Sequence, residues 1–184
     1  MMKILGICGS LRKRSLNQHA LHAAAKLMPA GMQLQMAEIG DLPLYCQDIE
    51  ASGMPAAVTR LGEQIAQADG VLIASPEYNF SMTGALKNAL DWTSRLKPMP
   101  LKDKPVAILS ATGGPVGGAR NQYELRRVLG CLEALVLMRP EVFMGLADGK
   151  FDVQGQLIDE ATTKVLAAQM GAFEAWIRKM GPQA

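Results

Sequence analysis

The sequence predicts an α/β fold: a five-stranded parallel sheet of order 2-1-3-4-5 with helices packed on both faces, three layers in all. Three observations predict it. Short apolar runs alternate with helical stretches five times along the chain, and such alternation builds a parallel sheet with right-handed crossovers. Most of these runs are apolar throughout, the pattern of strands buried on both faces. The chain has 184 residues, too few for the six-stranded dinucleotide-binding plan and ample for the five-stranded one. Residues 1–184 are read as one domain.

The elements follow in order. Residues 4–8 form a continuous apolar run stopped by Gly9-Ser10. Residues 15–28, rich in Ala and Leu, give the first helix. Residues 33–39 alternate polar and apolar. Residues 55–68 place Val58, Leu61, Ile65 and Ala68 on one helical face. Residues 70–74 are apolar and halt at Ser75-Pro76. Residues 83–96 group Leu86, Ala89, Leu90 and Thr93. Residues 106–109 halt at Ser110, before Gly113-Gly114. Residues 119–132 carry Leu125, Val128, Leu129 and Leu132. Residues 134–138 make the fifth strand, extending toward Val142-Phe143. Residues 159–180 line up Val165, Leu166, Gln169, Phe173, Trp176, Ile177 and Met180 as the apolar stripe of the last helix.

Composition narrows the function classes. Apolar residues make up 49% and charged residues 20%, which fits neither disordered, collagen-like nor coiled-coil chains. A formal charge of +2 points to neither nucleic acid nor a membrane surface as partner. The start of the chain lacks the apolar stretch and small-residue cleavage site of a signal peptide, and no run approaches the roughly 18 apolar residues that span a bilayer. The expected setting is cytoplasmic. Three cysteines, an odd number with no Cys-x-x-Cys pair, and two histidines argue against a disulfide framework and a zinc site. Cys8 and Cys131 are expected to be buried small hydrophobes, and His19 and His22 ordinary helix residues.

In a fold of this plan ligands bind outside the carboxyl ends of the strands, so the loops after strands 1, 3 and 4 carry the argument. The first holds Ser10, Leu11, Arg12, Lys13, Arg14, Ser15 and Asn17. It joins a strand to a helix start, where backbone N–H groups and the helix dipole favour an anion. Ser10, Ser15 and Asn17 add short donors and Arg12 a planar cationic fork; Ser15 is equally a helix cap. The loop matches neither the Walker pattern nor G-x-G-x-x-G. Glu38, near the end of strand 2, reads as a solvated strand-end charge. The second loop, from Ser75 to Gly84, crowds Pro76, Glu77, Tyr78, Asn79, Phe80 and Ser81 into one short turn. Such a set suits a planar heteroaromatic ligand. Glu77 can equally pair with a lysine or cap the next helix, and Tyr78 can equally pack in the core. The third loop carries Ser110, Thr112 and four glycines in six residues, Gly113, Gly114, Gly117 and Gly118. They allow close backbone approach to a flat ligand and a nest of N–H groups.

Together these loops resemble the NAD(P)H-dependent FMN reductases of flavodoxin-like fold, a family that includes quinone, azo-dye and chromate reductases. The matching residues are Gly9-Ser10-Leu11-Arg12 with Ser15 and Asn17; Pro76-Glu77-Tyr78-Asn79 with Ser81; Gly84 with Leu86-Lys87-Asn88-Ala89 and Asp91-Trp92; and Gly113-Gly114 with Gly117-Gly118. The likeness runs from strand 1 to the last helix. It implies that Ser10, Leu11, Arg12, Ser15 and Asn17 hold the FMN phosphate and that Pro76, Glu77, Tyr78, Asn79, Phe80 and Ser81 face the ribityl chain and flavin. Ser110, Thr112, Gly113 and Gly114 would then lie on the other side of the ring. It implies NADPH or NADH as co-substrate, a small-molecule electron acceptor and ping-pong turnover, with neither a protein nucleophile nor a metal. It further implies a homodimer or homotetramer, with Asp91 and Trp92 as candidate interface residues and Arg120, Tyr123 and Glu141 as a polar interface set. A flavodoxin-like electron carrier without NAD(P)H turnover is the main alternative; the chain's lack of acidity counts against it.

Overall fold

A computed structural model describes residues 1–181. The elements run β1 (Met2–Cys8), α1 (Leu16–Leu27), β2 (Met32–Ala37), α2 (Gln47–Ala51), α3 (Ala56–Gln67), β3 (Gly70–Ala74), α4 (Gly84–Arg95), β4 (Pro105–Ala111), α5 (Ala119–Cys131), β5 (Leu135–Val136), β6 (Val142–Met144) and α6 (Glu160–Met180). The sheet is ordered β2-β1-β3-β4-β5, and β6 also pairs with β4. Every pairing is parallel. The predicted order holds.

The continuous apolar runs are explained by the two faces they feed. Successive side chains of a strand point to opposite sides. Leu5, Ile7, Val71, Ile73, Val106 and Ile108 therefore pack against Val58, Leu61, Leu86, Trp92, Leu125 and Leu129 from α3, α4 and α5. Ile4, Leu72, Ala74, Ala107 and Leu109 pack against Ala20, Leu21, Leu166, Met170, Phe173 and Ile177 from α1 and α6. Helix starts are fixed by short acceptors. Ser15 accepts from Gln18 N, Thr83 from Leu86 N and Asp159 from Thr162 N, satisfying amides that have no partner within the helix.

The structure departs from expectation in several places. The fifth strand is two pieces: Val136 is in register with Val106, and Val142 with Leu109. Pro140, which has no N–H to give a ladder, lies between them. Across this break the Ile108 carbonyl accepts instead from Gln169 Nε2 at 2.9 Å, and the same nitrogen donates to Pro140 O at 3.0 Å. Gln169, read as part of the apolar stripe, thus patches the ladder. Val165, read in the same stripe, is exposed. Cys131 is exposed and Cys8 only partly buried. Cys131 follows Leu129 by two positions and so turns about 200° away from the core-facing stripe. Trp92 is an anchor of the core, 0% exposed, with its indole N–H donating to Pro43 O at 2.7 Å; it does not present an interface.

Candidate functional site

Three loops leave the sheet side by side because each begins with one last ladder bond. Gly9 N donates to Ala74 O, Ser75 N to Leu109 O, and Thr112 N to Met144 O. Between them lies a cleft of about 150 Å³ lined by Ser10, Arg12, Ser15, Leu16, Asn17, Pro76, Glu77, Tyr78, Ala111, Thr112 and Gly113. Nine of the expected site residues therefore share one cavity. Leu11, Asn79, Phe80, Ser81, Ser110 and Gly114 lie outside that lining. Leu16 and Ala111 were missed, although each directly adjoins an expected residue.

In the first loop Ser10 Oγ accepts from Arg12 N at 3.3 Å, and Arg12 Nη2 donates to Arg14 O at 2.9 Å. The rest of the exposed guanidinium stays available to a ligand. Cys8 Sγ donates to Ser10 O at 3.5 Å, and burial raises its thiol pKa above the ordinary value. Asn17 is buried and ties the first loop to the third. Its Oδ1 accepts from Ala111 N at 3.0 Å and its Nδ2 donates to Ala111 O at 2.8 Å. One N–H of the amide is left for the cleft.

Glu77 joins the second loop to α5. Its side chain is 8% exposed, and it accepts from Arg120 Nε at 2.7 Å and from Asn121 N at 3.3 Å. The carboxylate thus pairs with an arginine and caps α5, not with a lysine or the following helix α4. Beneath it Ser75 Oγ donates to Asn121 Oδ1, and Asn121 Nδ2 donates back to Ser75 O, at 2.9 and 2.8 Å. Tyr78 and Ser81 exchange backbone bonds across Asn79 and Phe80. Tyr78 is exposed and not packed in the core.

Ser110 has a structural position in place of the expected ligand contact. It is fully buried, its hydroxyl donates to Gly117 O and it accepts from Gln122 Nε2 at 2.8 Å. The second glycine pair serves the same closure: Gly118 has φ +86°, and a Cβ there would lie 2.7 Å from Ser110 Cβ. Gly114 instead faces open space. Within the chain, Arg120 pairs with Glu77, Tyr123 meets Phe143 edge-on, and Glu141 pairs with Arg139 at 3.0 Å.

The cleft gathers the hydroxyls of Ser10, Ser15 and Thr112, the Arg12 cation and the small residues Ala111 and Gly113, a donor set that fits a phosphate-bearing ring. Comparison with known proteins decides the family. The sequence model described as NADPH-dependent FMN reductase matches residues 2–149. The chain belongs to this family. It is 46% identical over 179 residues to an NAD(P)H-dependent FMN reductase of Pseudomonas aeruginosa, covering 97% of each. It is 44% identical over 182 residues to a quinone reductase of Escherichia coli, again covering 97% of each. Among solved structures, a flavoenzyme NAD(P)H:(acceptor) oxidoreductase from Paracoccus denitrificans superposes with a TM-score of 0.91 at 34% identity, over 99% of this chain and 100% of that one. This NADPH-dependent FMN reductase family member is therefore an oxidoreductase, with FMN and NAD(P)H as its cofactors. No helix among the described residues is long and apolar enough to cross a membrane.

Proposed function

We propose that residues 1–184 act as one FMN-binding domain that transfers two electrons from NADPH or NADH to a quinone. Free flavins, azo compounds and metal oxyanions such as chromate are further acceptors in this reading. The overall reaction is NAD(P)H + H⁺ + quinone giving NAD(P)⁺ and hydroquinone. FMN, when bound, would supply the two-electron redox chemistry. The chain's residues do the rest. Ser10, Ser15, Arg12 and the spare N–H of Asn17 hold the phosphate at the start of α1, where the helix dipole adds attraction. Pro76, Glu77 and Tyr78 form one wall of the ring site. Ala111, Thr112 and Gly113 form the other.

The observation that carries this reading is the convergence of three separate strand-end loops on one cleft, with a cation at one end. Its open mouth suits one site used twice, by the nicotinamide and then by the acceptor. We place the protein in the cytoplasm, as a homodimer or homotetramer. Initial rates measured against NADPH at several benzoquinone concentrations test the ordering. Parallel double-reciprocal lines are expected. Lines that intersect would mean that both substrates bind together, and the shared-site reading would fail.

A further inference from the structure

We infer that the cavity between the loops after β1 and β2 is a subsite for an adenosine phosphate joined to the flavin phosphate, so that the chain takes FAD as well as FMN. The inference rests on the FMN reading above and extends it to the far side of Arg12.

The cavity is the starting observation. It measures about 540 Å³, within the roughly 300–1,000 Å³ of small-molecule sites. β1 and β2 run parallel with Ile7 beside Ala37, so the cavity opens at their carboxyl ends, the end of the sheet where such folds take ligands. Ser10 and Arg12 line both this cavity and the flavin cleft. A group attached to the flavin phosphate therefore passes these two residues and enters the second cavity without crossing the ring site.

The walls match an adenosine phosphate part by part. Arg12 and Lys13 bring two cations to the phosphate end, where a second phosphate would sit. Glu38, on the wall at the end of β2, accepts from Gly40 N through Oε1 at 2.9 Å. That bond uses one oxygen, and the second can accept from a ribose hydroxyl, the use a strand-end carboxylate has in dinucleotide folds. Asp41 does not draw off the cations. Both its oxygens are held by Arg60 at 2.9 Å, and Arg60 also donates to Glu38 O, which fixes the loop. Leu11, outside the flavin cleft, stands on this wall 58% exposed and offers an apolar face to a base. A Cβ on Gly40 would lie 2.9 Å from Glu38 Oε1 and 3.3 Å from Leu11 Cδ2. Glycine there keeps both the carboxylate and the leucine in place.

The test titrates the full chain, freed of flavin, with FMN and with FAD as wild type, Glu38→Gln and Gly40→Val, and reads each Kd by absorbance. In wild type the FAD Kd is expected at or below the FMN Kd, because the adenosine arm adds contacts. Glu38→Gln keeps an acceptor for Gly40 N and loses the charge. Its FAD Kd should rise about five- to tenfold, the difference between a hydrogen bond to a charged acceptor and one to a neutral acceptor. Gly40→Val, which fills the cavity and displaces Glu38, should raise the FAD Kd at least as far. The FMN Kd of both variants should stay within about twofold of wild type, which also shows that they fold. Bleaching of the FMN-loaded variants should keep its wild-type dependence on NADPH concentration. A wild-type FAD Kd more than about twofold above the FMN Kd would overturn the inference, as would an FAD Kd that neither variant moves. Equal losses of FMN and FAD in both variants would make the loop merely structural and overturn it. Weakened NADPH dependence with FAD binding intact would give the cavity to the nicotinamide nucleotide and overturn it as well. Failure of the FMN reading shows separately, as wild type that binds neither flavin.

Discussion

Arg12 supplies the cation, and Glu77 the carboxylate, of the cleft lining. A hydrogen bond to a charged group is worth about 1.5–3 kcal/mol. Arg12→Ala is therefore expected to raise the FMN dissociation constant roughly 10- to 150-fold, as read by fluorescence titration. An unchanged constant would remove Arg12 from the phosphate site. Glu77→Gln keeps an acceptor for the Asn121 amide but removes a negative charge beside the ring site. The flavin midpoint potential should rise, because a reduced anionic flavin is then less opposed. Stability should fall by only about 1 kcal/mol or less, since Arg120 is half-exposed and solvent screens the pair. A potential equal to wild type would leave Glu77 with its helix-capping role alone. The residue types at the cleft were legible in the sequence, because each loop sits at a strand end. Their partners were not: Glu77 finds Arg120 across 43 positions and Asn17 finds Ala111 across 94. Ser110 read as a ligand contact because nothing local shows that Gly117 and Gln122 claim its hydroxyl.

At the scale of elements, the caps and the inter-element clamps set stability. Asn17 locks α1 to the end of β4 by satisfying both backbone groups of Ala111. Asn17→Ala leaves them buried and unpaired, so a loss of roughly 1–3 kcal/mol is expected in urea unfolding. Asp159, the cap of α6, has its pKa lowered to about 2, chiefly by the hydrogen bond from Lys150 and next by Thr162. A carboxyl whose folded pKa lies below its unfolded value, about 3.9, stabilises the fold above that value and loses the contribution as pH falls. Wild-type Tm should therefore drop more steeply than that of Asp159→Ala between about pH 4 and pH 2, and the variant should melt lower at pH 7. Identical pH profiles would contradict this role. Helix starts were legible because Ser15, Thr83 and Asp159 are local signals. Helix α2 was not: it is five residues long, and Cys46 gives it no side-chain cap. The division of the fifth strand was equally hidden, since the group that fills its gap, Gln169, comes from the last helix.

At the scale of the whole molecule, the alternation of apolar runs and helices was enough to give the strand order, because parallel crossovers leave few topologies. The fold in turn gathers the loops after β1, β3 and β4 into one cleft, which we propose holds the cofactors of the family. The account stands or falls on whether this chain binds FMN and reduces it with a nicotinamide. The most direct measurement is an absorption spectrum of the purified protein titrated with FMN and then mixed anaerobically with NADPH or NADH. Stoichiometric binding followed by bleaching of the flavin bands is the result the account requires. Binding without bleaching would make the protein an electron carrier, and no binding at all would contradict the assignment of the cleft.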